Sequence, residues 1–302
     1  MKLKLGIQDR ICFFGDSITA HGHWIAEVFE YFVKHFPEHK TYMFNCGIGG
    51  SRGKEAELKN RAFCDCLQLF PKYVVVMFGM NDVEPAYHGT GNPDCEKVLA
   101  EEARPVYPES LEKIIELVKS VGATPIICSP TPFDEYTDGE KKWLGTDADL
   151  EKFSEIAKEK CEKHGLIFVD MRKALMDNMD KCPIGEDRVH PNRYGHHLMA
   201  EAFLCAIGAK DKFDNGDPVE LSDKNQSRFE TEQIIRDIMI VERNMLNWQK
   251  EESKPLPERK KQVEEAKTKP PFYRFYDVYL EKADYLDELR GELVKKTLDM
   301  YK

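Results

Sequence analysis

The chain has few of the features that mark membrane, secreted or nucleic-acid-binding proteins. No apolar run approaches the roughly 20 residues that span a bilayer, and the segment Met1–Arg10 lacks the apolar core of a signal peptide. Basic residues are in the minority, and the formal net charge is −10. We therefore expect no membrane span, no nucleic-acid partner and a location in the cytoplasm.

The cysteines do not form an even-numbered disulfide framework, because the chain has nine of them. Cys12, Cys46 and Cys128 lie within apolar runs that predict strands, which favours buried free thiols in a reducing compartment. The segment Cys64-Asp65-Cys66 lacks the spacing of a metal site and has no second cysteine pair nearby. We expect no metal site.

What the chain has is an alternation of strand and helix patterns. With 302 residues it is long enough for one large domain, or for a domain with an appendage. Strands that alternate with helices predict a parallel sheet with right-handed crossovers, and wholly apolar strands indicate that helices cover both faces. The expected fold is α/β: a three-layer α/β/α sandwich around a flavodoxin-like five-stranded parallel sheet, within residues 1–210. The predicted strands are Ile11–Phe14, Tyr42–Cys46, Tyr73–Phe78, Thr124–Cys128 and Leu166–Val169, and the predicted helices are His23–His35, Lys54–Phe63, Pro108–Val121, Leu150–His164 and Tyr194–Ile207.

The character of the sequence changes near residue 210. The segment Lys210–Ser227 is polar and predicts a linker, and two amphipathic helices are predicted at Arg228–Trp248 and Phe272–Tyr301. Two such helices cannot bury their apolar faces on their own. We therefore expect residues 211–302 to be a helical extension that packs on the core or forms a homodimer contact.

Four polar motifs stand where the predicted sheet would bring them together. Three of them directly follow predicted strands, and the carboxyl ends of parallel strands are where open α/β sheets bind ligands. The fourth precedes the last core helix. The motifs are Gly15-Asp16-Ser17, Asn45-Cys46-Gly47-Ile48-Gly49-Gly50, Gly79-Met80-Asn81-Asp82 and Asp187-Arg188-Val189-His190-Pro191.

These motifs contain the groups that ester hydrolysis needs. A serine hydroxyl such as Ser17 is a weak nucleophile until a base such as His190 takes its proton. A carboxylate holds the imidazole in the right tautomer, and Asp187 stands three residues before His190. The Ser17 and Gly50 backbone N–H groups and the Asn81 side-chain amide are candidate donors to the oxyanion, with Gly47 and Gly49 as competitors of Gly50.

Together the four motifs resemble, in order, the four blocks of the SGNH hydrolases, the GDSL-type esterases and lipases. Ile18 stands in the place of the family's leucine, and the resemblance covers about the first 210 residues. It implies that Ser17 is the nucleophile, that Gly50 and Asn81 complete the oxyanion hole, and that Asp187 and His190 share one block. It further implies an acyl-enzyme mechanism without metal or organic cofactor, acting on short-chain O-acyl esters such as an acetylated saccharide.

Some alternatives stay open. The run Gly49-Gly50-Ser51-Arg52-Gly53 matches the G-x-S-x-G nucleophile elbow, so Ser51 competes with Ser17. Asp82 competes with Asp187 as the partner of His190. A GDSL-type lipase, lysophospholipase or thioesterase would use the same residues, and so would acyl transfer to a sugar. A non-catalytic binding module with a vestigial triad is the alternative from another class.

Substrate contacts are expected from residues near Ser17 and from two loops on the reactive face. The two loops are Val83–Ala103 and Ser129–Trp143. In the first of them, the run His88-Gly89-Thr90-Gly91-Asn92-Pro93 predicts a loop rather than a helix. The candidate contacts are Asp16, His21, His88, Phe133 and Tyr136.

Overall fold

Five parallel strands form the centre of the fold. The computed structural model describes residues 3–56, 61–62, 65–140, 142–214, 216–230, 232–233 and 236. The strand order is β2-β1-β3-β4-β5, so the chain reverses direction across the sheet between β1 and β3. This is the flavodoxin-like order, with its ligand crevice at the β1/β3 switch point, and it confirms the predicted fold. The strands are β1 (Arg10–Gly15), β2 (Tyr42–Gly47), β3 (Tyr73–Met77), β4 (Thr124–Cys128) and β5 (Ile167–Val169).

Helices flank this sheet, and the longer ones pack against one another. The α-helices are α1 (Ser17–His21), α2 (His23–His35), α3 (Gly53–Ala56), α4 (Pro93–Val98), α5 (Val106–Ser120), α6 (Thr146–His164), α7 (Met171–Met176) and α8 (Arg193–Ala206). Helix α2 packs on α8, and α5 packs on α6. Among the described residues, no helix combines the length and the apolarity that a bilayer crossing requires.

The strands are apolar throughout because they are covered on both sides. In β1 the side chains of Ile11, Cys12, Phe13 and Phe14 are all essentially inaccessible to solvent. Phe13 meets Trp24 of α2 edge to face on one side of the sheet, and Phe14 meets Phe78 in the same manner on the other. A strand with one wet face would alternate between apolar and polar residues, and this one does not.

One predicted stretch differs from the structure, and another is only partly described. The predicted loop Val83–Ala103 contains α4 and, after it, a π-helical turn at Leu99–Ala103. Helix α4 begins because the side chain of Asn92 accepts a hydrogen bond from the Asp94 N–H at 2.9 Å, with Pro93 in the first helical position. The predicted helix Lys54–Phe63 is helical at residues 54–56 and 61–62, and its other residues lie outside the described ones.

The chain after α8 returns to the core. Residues 223–230, 232–233 and 236 are helical, so the predicted linker ends earlier than Ser227. Phe229 is buried against Phe29 of α2, with ring centroids 5.2 Å apart. The boundary at residue 210 stays a prediction. The remainder of both predicted C-terminal helices, and with it the homodimer contact, lies outside the described residues.

Candidate active site

Ser17 stands at the point where β1 turns into α1. The strand ends at Gly15, and the side chain of Asp16 caps the helix by accepting a hydrogen bond from the Ile18 N–H at 3.0 Å. Only glycine fits at position 15, since a Cβ there would lie 2.6 Å from the Met77 carbonyl oxygen of β3. Ser17 is the first helical residue, so its own backbone N–H has no partner within the helix.

A chain of hydrogen bonds joins Ser17, His190 and Asp187. The distance from Ser17 Oγ to His190 Nε2 is 2.8 Å, and that from His190 Nδ1 to Asp187 Oδ2 is 2.6 Å. Asp187 Oδ1 accepts hydrogen bonds from the backbone N–H groups of Val189 and His190, each at 2.9 Å. Partial desolvation opposes ionisation of Asp187, but the hydrogen bonds from the His190 backbone and imidazole outweigh it and lower its pKa.

The loop that carries Asp187 and His190 is closed on itself. Gly185 donates its N–H to the His190 carbonyl at 2.8 Å, and its carbonyl accepts the Arg188 N–H at 2.9 Å. Ile184 and Pro191 form an isolated antiparallel bridge at the base of the loop. The relative placement of Asp187 and His190 therefore comes from a tight, internally bonded turn just before α8.

Arg188 was not identified from the sequence as a site residue, and the structure gives it a supporting position. It is buried and adopts a positive φ of 69° between Asp187 and His190. One guanidinium nitrogen donates to the Asp134 carbonyl at 2.9 Å, and the Arg188 carbonyl accepts the Asp134 N–H at 2.9 Å. Arg188 thus ties the His190 loop to the loop after β4. In the sequence, the one indication of this supporting position was that Arg188 lies between Asp187 and His190.

The three glycines after β2 differ in what their backbones do. Gly47 donates its N–H to Asn45 Oδ1 at 3.0 Å, and a Cβ on Gly47 would lie 2.3 Å from the Ala20 nitrogen. Gly49 approaches Ser17, since a Cβ on Gly49 would lie 4.0 Å from Ser17 Cβ. Gly50 has a φ of 73° with open space where its Cβ would be. Within the described part of the chain, the N–H groups of Gly49 and Gly50 have no hydrogen-bond acceptor.

Asn81 and Asp82 serve the same loop in different ways. Asn81 Nδ2 donates to the Ser51 carbonyl at 3.1 Å, which fixes the amide beside Gly50. Asp82 accepts the Gly53 N–H at 2.7 Å and is buried, and that burial raises its pKa to about 6. The imidazole of His190 has Asp187, not Asp82, as its carboxylate partner, and Ser17, not Ser51, as its serine partner.

The sequence profile of the GDSL-like lipase and acylhydrolase family matches residues 13–198, a span that holds every residue of this site. The chain belongs to that family. It is therefore a serine-dependent carboxylic ester hydrolase in class. The predicted resemblance to the SGNH hydrolases is confirmed.

Relatives of this family member are known in sequence and in structure. An acetylxylan esterase of Geobacillus stearothermophilus is 26% identical over 224 residues, which is 68% of this chain and 97% of that enzyme. The crystal structure of an acetylxylan esterase from the same organism has a TM-score of 0.58 at 23% identity, covering 68% of this chain and 97% of that one, and this likeness shows the fold alone. A gut microbial diltiazem-metabolizing enzyme is 25% identical with a TM-score of 0.57; the match covers 69% of this chain, which spans only 48% of that enzyme.

The five candidate substrate contacts of this family member separate into two groups. His21 is exposed, and its ring centroid lies 4.7 Å from that of His190, at the rim of the site. Tyr136 is 53% exposed and its hydroxyl donates to the buried carboxylate of Asp147. Asp16, His88 and Phe133 are buried instead.

These three buried residues have structural contacts. Asp16 caps α1, and burial raises its pKa to about 7. His88 lies with Nε2 3.0 Å from the Val83 carbonyl oxygen, inside the loop after β3. Phe133 packs against Trp143, with ring centroids 5.9 Å apart. Such buried side chains offer little surface to a substrate, and the prediction that these three residues contact substrate stays a prediction.

Three buried cysteines lie together behind the site. The sulfur atoms of Cys12, Cys46 and Cys66 all lie within 4.8 Å of one another. The Cys12 thiol donates to the Cys66 carbonyl and the Cys46 thiol donates to the Phe44 carbonyl, both at 3.7 Å. Burial raises the pKa of the Cys12 thiol well above its ordinary value and so favours the protonated form of that thiol.

Proposed function

We propose that the protein is an esterase that works through an acyl-enzyme on Ser17, with short-chain O-acyl esters of saccharides as its substrates. The hydrogen-bonded chain from Ser17 through His190 to Asp187 is the observation that carries the proposal. A base within 2.8 Å of the serine hydroxyl, itself oriented by a carboxylate, is the arrangement that activates a serine for acyl transfer.

In the first half of the reaction, Ser17 Oγ bonds to the ester carbonyl carbon while its proton passes to His190 Nε2. The imidazolium is stabilised by Asp187, whose lowered pKa keeps it ionised at neutral pH. The negative charge on the former carbonyl oxygen receives hydrogen bonds from the Ser17 and Gly50 N–H groups and from Asn81 Nδ2. Each such donor lowers the activation free energy by roughly 3–4 kcal/mol.

The intermediate then collapses and the carbon–oxygen bond to the alcohol breaks. The alcohol oxygen takes the proton from His190 Nε2, which leaves an acyl group on Ser17. Water enters, gives a proton to His190 and attacks the acyl carbon. The second collapse releases the carboxylic acid and returns the proton to Ser17 Oγ. Protons and bonds balance over the cycle, and the residues already described supply every group the cycle requires.

The saccharide ester is proposed from the relative and from the site rim. One relative of this chain is an acetylxylan esterase, and the match between the two covers 97% of that enzyme. Tyr136, in the loop after β4, and His21, the last residue of α1, offer exposed aromatic faces, which suits stacking on a sugar ring. The eight free cysteines among the described residues support a reducing compartment such as the cytoplasm.

The test compares Ser17→Ala with Ser51→Ala. We expect Ser17→Ala to abolish hydrolysis of p-nitrophenyl acetate and labelling by a fluorophosphonate, and Ser51→Ala to keep both. Wild-type protein should favour acetyl over longer acyl esters and should release acetate from acetylated xylo-oligosaccharides. Full activity in folded Ser17→Ala protein would overturn the proposal. A preference for long acyl chains would favour a lipase over the proposed saccharide esterase.

A further inference from the structure

The outer edge of β2 is covered by a helix and not by another strand. Strand β2 is the last strand on its side of the sheet, so its outward N–H and C=O groups have no strand to pair with. Open edges of this kind promote pairing with other chains unless they are covered. We call the helical residues 223–230, 232–233 and 236 the capping helix, because its side chains bond to that edge.

Three side chains of the capping helix take the place of a sixth strand. Arg228 donates to the Thr41 carbonyl at 3.0 Å, and Glu232 Oε2 accepts the Met43 N–H at 2.9 Å. Arg228 Nε also donates to Glu232 Oε1 at 3.0 Å, so the wholly buried Glu232 carboxylate is paired on both oxygens. Arg228 and Glu232 are four residues apart and share one face of the helix.

Gln233 reproduces a peptide group at this edge. Its Oε1 accepts the Asn45 N–H at 2.7 Å and its Nε2 donates to the Met43 carbonyl at 2.9 Å. A primary amide carries the same acceptor and donor pair as a backbone peptide unit. The contact joins residues 188 positions apart in the chain.

Asn45 links this edge to the reactive loop. Its backbone is held by Gln233, while its side-chain Oδ1 accepts the Gly47 N–H at 3.0 Å and its Nδ2 donates to the Ala20 carbonyl at 3.2 Å. Gly47 is the last residue of β2, directly before the loop that carries Gly50, and Ala20 belongs to α1, the helix that starts with Ser17. One asparagine therefore bridges the strand edge, the oxyanion loop and the nucleophile helix.

We propose that Gln233 is a positioning residue for ester hydrolysis, acting through Asn45 on the placement of the Gly50 N–H relative to Ser17. This inference rests on the proposed function. The capping helix follows the family-matched span of residues 13–198. If Gln233 acts in this way, that helix contributes to catalysis as well as to the fold. Loss of an oxyanion donor lowers kcat by about 10²–10³, and a misplaced donor loses part of that.

The main variant is Gln233→Met, which keeps the length of the side chain and removes both hydrogen bonds. We expect kcat for p-nitrophenyl acetate to fall about 10-fold with KM within about 2-fold, since only transition-state binding is lost. Gln226→Met is the matched control. Gln226 is an exposed glutamine of the same helix, and within the described part of the chain its side-chain amide bonds to Glu230 alone, so its replacement should leave kcat unchanged.

A double-mutant cycle separates positioning from general stability. Asn45→Ala removes the link, so adding Gln233→Met to it should lower kcat by less than 2-fold more, because coupled residues are not additive. A merely structural role would lower the melting temperature of Gln233→Met and leave kcat unchanged well below that temperature, and this result would overturn the inference. So would additive losses in the cycle.

Hydrogen exchange on the wild-type protein tests the same contact without a variant. The Met43 and Asn45 amide protons should exchange as slowly as those of the buried strand β1, and rapid exchange would overturn the inference even where Gln233→Met fails to fold. The proposed function is judged separately by Ser17→Ala. Wild-type protein without esterase activity would refute that proposal, whereas Gln233→Met protein with the wild-type kcat would refute only the positioning role.

Discussion

Replacing Asp187 by asparagine separates the two tasks of this side chain. In the wild type, Oδ1 accepts the Val189 and His190 N–H groups at 2.9 Å and Oδ2 faces His190 Nδ1 at 2.6 Å. Asparagine has only one oxygen. Two backbone donors next to each other favour placing that oxygen at the Oδ1 position, which turns the amide NH2 toward the imidazole.

The expected loss of kcat in Asp187→Asn follows from the His190 tautomer that the new amide favours. An NH2 group donates and cannot accept, so His190 Nδ1 must become the acceptor and the ring proton moves to Nε2. Nε2 faces Ser17 Oγ at 2.8 Å and, once protonated, can no longer take the serine proton. We expect kcat to fall about 10⁴-fold, which corresponds to about 5.5 kcal/mol in the barrier. The free energy of unfolding should change by less than about 1 kcal/mol, because both backbone hydrogen bonds remain.

The assay is the release of p-nitrophenolate from p-nitrophenyl acetate, with urea unfolding measured on the same preparations. Asp177→Asn is the control. Asp177 is an exposed aspartate paired with Lys173 at 2.6 Å, and its loss should not affect kcat. If folded Asp187→Asn protein keeps more than about a tenth of the wild-type kcat, the assignment of Asp187 as the orienting carboxylate is refuted.

Two further predictions concern Gly50 and Glu232. Gly50→Ala should keep the fold at a cost of about 1–2 kcal/mol from its positive φ and should lower kcat. Gly47→Ala should unfold the protein, since its Cβ would lie 2.3 Å from the Ala20 nitrogen. Thermal unfolding checks both variants, and a Gly47→Ala protein as stable as the wild type would contradict this close approach. Burial raises the pKa of Glu232 to about 7, so the folded state holds this proton more tightly than the unfolded state. That stability is present at low pH and is lost as pH rises from about 4.5 through about 7, by at most on the order of 3 kcal/mol. Glu232→Gln should flatten this part of the dependence in urea unfolding, and an unchanged slope would contradict the raised pKa.

Much of the fold and the core of the site follow from local patterns. Short, wholly apolar runs such as Ile11–Phe14 predict strands covered on both faces, and their alternation with helices predicts parallel pairing. Because the carboxyl ends of parallel strands meet at one edge, Ser17 and Asn81 are expected near each other once their strands are recognised. Asp187 and His190 meet through a turn of their own.

The sequence by itself therefore determined the architecture and the groups brought to the reactive edge, since the spacing of apolar and polar residues reflects contacts within single strands, helices and turns. Only the tertiary structure gave the Gly47 N–H a partner in Asn45, buried the side chains of His88 and Phe133, and placed Gln233 on the edge of β2. These outcomes depend on which distant surfaces pack together. The contact between Asn45 and Gln233 joins residues 188 positions apart. No local sequence pattern predicts such a contact, because it depends on how whole helices and strands pack together.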